Sequence, residues 1–345
     1  MSDRLTRAKA IADELAALDD EETMDLLYGS RVVGVGIGGT TRVAQFRGSK
    51  VFIKQMPLTA EQNLAPTATR SWLDLPVTSH YGLVSPSHGV GRELAAHQLT
   101  SAWVWEREAD FFPLLLDWRI ADVTCDVDFS EFDVAEVRQR WGRYWPKIRR
   151  EIDSLRASRS SLLLVLEYVP ETLASWLRSS VASRRAGTIF SDAVAQILEA
   201  TTWMKSRHFQ HFDLHPGNIL VRDGTLLFSD FGLALHSSFV LSSAEENAMS
   251  AHGDFDRDTA LMHLFHWLLY EMGFESREQR LKLLRSFANG SRQIVPDPVR
   301  EALGDSAGLL MDHAHTVVAM TDMYDALVVD VTATDYGRTT RATRW

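Results

Sequence analysis

Between His211 and Gly232 the chain reads HFDLHPGNILVRDGTLLFSDFG, and three of its side chains could share one reaction. Asp213 and Asn218 stand five positions apart, and Asp230 follows after two short apolar runs separated by Arg-Asp-Gly-Thr. Asp-Gly between apolar runs predicts a tight hairpin, which would return Asp230 to the neighbourhood of Asn218. A carboxylate and an amide oxygen are a suitable protein share for Mg²⁺, a hard cation that keeps several of its waters. The remaining carboxylate, Asp213, could accept or orient a hydroxyl proton. Phosphoryl transfer from a nucleotide needs both jobs done. The bland alternative is a surface Asp and Asn beside an ordinary hairpin.

These residues carry a resemblance to the protein-kinase-like superfamily. HFDLHPGN is similar to its catalytic loop in His, Asp, Leu and Asn, and SDFG is similar to the metal-binding loop that follows. The resemblance implies ATP and Mg²⁺ as the nucleotide and the metal. Asn218 and Asp230 would be metal ligands, Asp213 would handle the acceptor hydroxyl, and His211 would be a structural histidine under the loop. His211 and His215 are not read as a metal pair, because Pro216 and Gly217 place them in a loop.

The elements that must position this stretch lie upstream. RVVGVGIGGTTRVAQFRGSKVFIKQM predicts strand, glycine bend, strand, turn and strand. Gly34, Gly36 and Gly39 match a dinucleotide-binding pattern formally, but neither the helix nor the later acid which that pattern needs is present. A phosphate-covering flap fits better, since glycine lets backbone N–H groups approach an anion. Counting back from Val43 places the flap glycines at Gly36 and Gly38 with Thr41 third; Gly34 and Gly39 are the alternatives. Lys54 closes VFIK, which resembles the strand whose lysine contacts the phosphates. Its glutamate partner is read as Glu93, opening the helix GRELAAHQLTSAWVW, with Glu106 and Glu108 as competitors. Residues 57 to 90, with four prolines, read as an insertion before that helix.

FFPLLLDWRI and SLLLVLEYV read as buried strands, the second leading to the hinge. There the resemblance makes Leu166 the gatekeeper, and has the Glu167 carbonyl and the Val169 N–H read the adenine edge. Residues 121 to 160 form a second insertion, acidic first, then basic along an amphipathic helix that Pro146 should kink or split. Its apolar positions are Val134, Val137, Trp141, Tyr144, Ile148, Ile152 and Leu155. The basic face at 138–159 suits either solvent or an acidic partner. Residues 4 to 28 read as one helix on the spacing of Leu5, Ala8, Ile11, Leu15 and Leu18. Ser191 reads as the N-cap of the helix before the catalytic loop. One of Asp254, Asp256 and Asp258 could brace that loop, and each could equally serve a helix start. GRTTRATRW reads as a frayed basic tail.

The expected fold class is α+β: a two-lobed kinase-like fold with a small antiparallel β-sheet lobe and a mainly helical lobe. Its expected divisions are a helical extension at 1–30, a first lobe at 31–166, and hinge plus helical lobe at 167–345. A net charge of −10 argues against nucleic-acid or membrane attraction. The single cysteine, Cys125, fits a reducing compartment, and the acids around it favour an inert thiol. With no signal or long apolar run seen, a cytoplasmic protein is expected.

The acceptor is read first as a protein Ser/Thr hydroxyl, from SDFGLA and the hinge. A small-molecule hydroxyl, as in aminoglycoside and choline phosphotransferases, is the alternative. His215 stands where Ser/Thr protein kinases carry lysine, no Ala-Pro-Glu motif follows, and HFDLHPGNIL is closer to those enzymes and to ABC1-type kinases. An ATP-binding pseudokinase scaffold is a third reading, against which the complete Lys, Asp, Asn, Asp set argues. Phe212 stands where many regulated protein kinases carry arginine, so a phosphorylated activation loop would lack that usual partner.

Overall fold

The computed structural model describes residues 2–343 apart from Ser87, Arg184 and 291–294. The chain divides into two compact units, Met1–Val169 with Asp230–Ala244, and Pro170–Ser229 with Glu245–Trp345. It has the expected α+β, two-lobed kinase-like fold class.

The first unit opens with helices α1 (Ser2–Ala16) and α2 (Asp20–Tyr28) where one helix was expected. Asp19 explains the break. Its side chain accepts from Glu22 N while Glu22 accepts from Asp19 N, a reciprocal cap that starts a new helix. Arg119 donates to the carbonyls of Leu15 and Leu18, satisfying the end that α1 leaves open. Five strands follow: β1 (Arg31–Gly36), β2 (Gly39–Phe46), β3 (Ser49–Leu58), β4 (Leu115–Ala121) and β5 (Ser160–Glu167). They form one antiparallel sheet in the order β1-β2-β3-β5-β4. A short helix α3 (Ala60–Leu64) lies in the first insertion, and α4 (Val90–Trp105) follows it. Alternate residues of β3 and β5 point toward α4, so Met56, Leu58, Leu162, Leu164 and Leu166 bury with Val90 and Leu94 as one core.

The second insertion holds α5 (Ala135–Trp141) and α6 (Trp145–Arg156). The split comes at Gly142, which takes φ +46°, and Pro146 sits in the first turn of α6, where proline is tolerated. Val137, Trp141, Ile148, Ile152 and Leu155 are buried, while Val134 is exposed against expectation, just before α5 begins.

In the second unit a two-residue strand β6 (Glu171–Thr172) pairs with the hairpin β7 (Ile219–Arg222) and β8 (Thr225–Phe228). Asp223 and Gly224 both take positive φ, the conformation a two-residue hairpin turn requires. Helices α7 (Leu173–Ala182) and α8 (Ala186–Ser206) precede the loop that carries Asp213 and Asn218. Ser191 lies inside α8 and donates to Thr188 O, so it is not the cap. The remaining helices are α9 (Ser243–Ala251), α10 (Phe255–Glu271), α11 (Arg277–Ala288), α12 (Asp297–Leu303), α13 (Ala307–Asp312), α14 (Ala314–Val329) and α15 (Tyr336–Thr343). The expected frayed tail is therefore helical as far as Thr343; Arg344 and Trp345 lie outside the described residues. None of the described helices is long and apolar enough to cross a membrane.

Candidate active site

Lys54 is the best-defined member of the site. It stands on β3 with its side chain on the α4 face of the sheet, and Nζ lies 2.6 Å from Glu93 Oε1 and 2.8 Å from Asp230 Oδ1. Glu93 sits in the first turn of α4 and is almost wholly buried. Burial alone would lower the Lys54 pKa, but Asp230 and Glu93 outweigh it and hold the ammonium above the ordinary lysine range. Burial pushes Glu93 up, against the pull of Lys54. Glu106 ends α4 and is exposed, as is Glu108. Gly232 follows Asp230 closely: a Cβ there would lie 3.3 Å from Glu93 Oε2 and 3.6 Å from Asp230 Oδ1.

The glycine flap joins β1 to β2, and its register corrects the sequence count. Gly36 pairs with Gly39 across a turn at Ile37–Gly38. The glycines that match the flap spacing are therefore Gly34, Gly36 and Gly39, not Gly36, Gly38 and Thr41. Gly39 takes φ +118°, and a Cβ there would stand 2.1 Å from Gln55 O. Gly38 is the tip residue over Lys54, its absent Cβ 3.8 Å from Lys54 Cε. Such a turn leaves space and backbone N–H groups where an anion bound to Lys54 would lie.

A strap drawn from the second insertion crosses the opposite face of the sheet. Ser161 Oγ donates to Val123 O at 2.6 Å, Gln55 Nε2 to Thr124 O at 3.0 Å and Thr40 Oγ1 to Asp126 O at 2.8 Å. Asp128 N donates to Gly36 O. Cys125 lies within this strap with Sγ 3.0 Å from Gln55 O. Burial, rather than the neighbouring acids, is the main cause that raises its thiol pKa. At the hinge, Glu167 N donates to Leu114 O, and the Glu167 carboxylate is gripped by Arg4 at 2.7 Å. Arg4 also donates to Asp110 O and Phe112 O, so α1 is bound to the back of the hinge strand. Val169 is buried at the end of this unit.

Asp213 and Asn218 are brought together in the second unit. Asn218 Nδ2 donates to Asp213 Oδ2 at 3.1 Å and to Asp213 O at 3.0 Å. That orients the amide and leaves Oδ1 as the atom able to ligate a cation, a hard oxygen of the kind Mg²⁺ prefers. Asp230 offers a half-exposed carboxylate, the same donor type. Each of these oxygens, taken within its own unit, is of the donor type that the metal implied by the family resemblance prefers. Buried His211 places Nε2 2.9 Å from Ser229 O. Since a carbonyl only accepts, that nitrogen carries a proton and His211 is structural. His215 Nδ1 accepts from Gly217 N at 3.0 Å, and its ring lies against His263, which burial keeps neutral with a pKa pushed down to about 3.

Asp256 is the brace that could not be chosen among three aspartates. It accepts from His211 N at 2.7 Å and Phe212 N at 2.8 Å. Burial pushes its pKa up to about 6, although both N–H bonds pull it down. Asp254 instead pairs with Lys205, and Asp258 with Arg257 and the Tyr336 hydroxyl. Tyr336 carried no recognisable signal, because its partner lies far away in sequence.

The protein kinase domain family model matches residues 138–248, about a third of the chain, from the second insertion through the hinge, Asp213, Asn218 and Asp230. No match was found among curated proteins. The matched region, which contains the braced Asp–Asn loop and Asp230, supports a protein-kinase-like superfamily for this chain.

Proposed function

We propose that this protein transfers the γ-phosphoryl group of ATP, with Mg²⁺, to Ser/Thr hydroxyls of a protein. The observation that carries the proposal is the Lys54 ammonium held between Glu93 and Asp230. A buried cation with a half-exposed carboxylate beside it is suited to positioning phosphates and a metal. Lys54 steadies the phosphates, and the glycine flap covers them with backbone donors. Asn218 and Asp230 would hold Mg²⁺, which when bound neutralises charge on the phosphate oxygens. Asp213, oriented by Asn218, accepts the hydroxyl proton. The Glu167 carbonyl and Val169 N–H would meet the adenine edge. Exposed Arg143, Arg150 and Arg159 on the second insertion support docking of an acidic substrate segment.

One observation favours a small-molecule hydroxyl instead. His215 turns Nδ1 back onto its own loop, so no lysine-like cation is offered at that position. The test uses γ-labelled ATP and a cell lysate split into macromolecular and small-molecule fractions, with wild type beside Asp213→Asn. Label in a protein band, absent with the variant, is the expected result. Label confined to the small-molecule fraction would replace the protein-substrate reading. ATP binding with no label in either fraction would leave a scaffold.

A further inference from the structure

The segment after Asp230 is tied to the first insertion at several points. Val240 N donates to Thr69 Oγ1 at 3.0 Å. Arg92 Nε donates to Thr69 O at 2.6 Å, and Arg92 Nη2 to Val240 O at 3.3 Å. These three residues close a triangle joining the insertion, the Glu93 helix and the segment. Arg92 is nearly inaccessible and immediately precedes Glu93. A second tie is His80 Nδ1, 2.9 Å from Leu233 O. The acceptor is a carbonyl, so Nδ1 supplies the proton. His80 is itself fixed by stacking on His88, with ring centroids 3.8 Å apart. The insertion also grips the start of α4 backbone to backbone: a Cβ on Gly91 would lie 2.3 Å from Ala68 O.

From these contacts we infer that residues 57–90 are a built-in clamp that holds the segment following Asp230 in the conformation that engages Lys54, so that phosphorylation of this segment is not needed for activity. In a phosphorylation-regulated enzyme a phosphate paired with arginine supplies such an anchor. Here Thr69, Arg92 and His80 supply it with neutral and charge-assisted hydrogen bonds made within the chain. The side chains of Ser237, Ser238, Ser242 and Ser243 are exposed, while the tie runs through the backbone of Val240. The clamp's role in turnover rests on the proposed phosphotransferase activity.

The experiment combines two readouts on the full chain. Amide hydrogen exchange at Val240 is compared in wild type, Thr69→Val and Thr69→Ser, and phosphotransfer is measured on the same samples before and after phosphatase treatment. Wild type should protect Val240 and keep its turnover after phosphatase treatment. Thr69→Val should lose that protection and lower kcat severalfold, with ATP affinity little changed, as expected for one lost hydrogen bond at a solvent-exposed position. Thr69→Ser, which keeps the hydroxyl, should restore both. Loss of wild-type turnover on phosphatase treatment, or unchanged Val240 exchange in Thr69→Val, would overturn the clamp. Absence of turnover from every sample would defeat the phosphotransferase reading and with it the clamp's role in turnover, while the exchange data would still decide whether the clamp exists.

Discussion

Phe212 and Asp230 both take φ +66°, a left-handed conformation that costs a non-glycine residue of order 1 kcal/mol or more. Each is held there by a specific partner: Asp256 receives the Phe212 N–H, and Lys54 holds the Asp230 carboxylate. The Asp256 brace has a pH signature. Its folded pKa of about 6 lies above the ordinary 3.8, so its contribution to stability is complete below 3.8 and is lost as pH rises through about 6. Relative to Asp256→Asn, wild type should lose about 2 kcal/mol of unfolding free energy between pH 4 and pH 7. Urea unfolding of both proteins at the two pH values measures this, and a constant gap would refute the assignment. The types of Asp213, Asn218, Asp230 and Lys54 were legible in the sequence because their chemistry and spacing are restrictive. Asp256 was not separable from Asp254 and Asp258, since any of them suits a helix start and only the folded partners distinguish them.

At the scale of elements, the least legible parts are those held together by backbone groups. The strap from Val123 to Asp128 accepts mainly through carbonyls, which every residue has, so no side-chain pattern announces it. The flap register slipped for a related reason: Thr40, Thr41 and Arg42 give no apolar alternation to count from, and the turn at Ile37–Gly38 is set by pairing. By contrast the Asp-Gly hairpin was legible, because its turn demands positive φ at both central residues. The strap can be observed through Cys125, the chain's one cysteine. Its thiol should react slowly with a disulfide reagent, being half-buried within the strap with a raised pKa. Thr40→Val combined with Ser161→Ala removes two of the strap's anchors, at about 1 kcal/mol each, and should speed labelling roughly tenfold or more. Equal labelling rates would show that these bonds do not hold the strap closed.

For the whole molecule, the two-lobed class followed from a short glycine-bent sheet and a long run of amphipathic helices. What the insertions do was not legible, because both act on elements distant in sequence: 57–90 on the segment after Asp230, and 121–128 on the flap. Together with Arg4 behind the hinge strand, they make the sheet, flap and Glu93 helix of the first unit a pre-braced set. The central claim is that Asp230 serves phosphoryl transfer rather than structure alone. Single-turnover transfer from ATP to the labelled acceptor, in wild type and Asp230→Asn, tests it most directly when folding is checked by thermal melting in the same samples. The expected result is a folded variant whose transfer rate falls by several orders of magnitude. A folded Asp230→Asn protein with near-normal transfer would contradict the assignment.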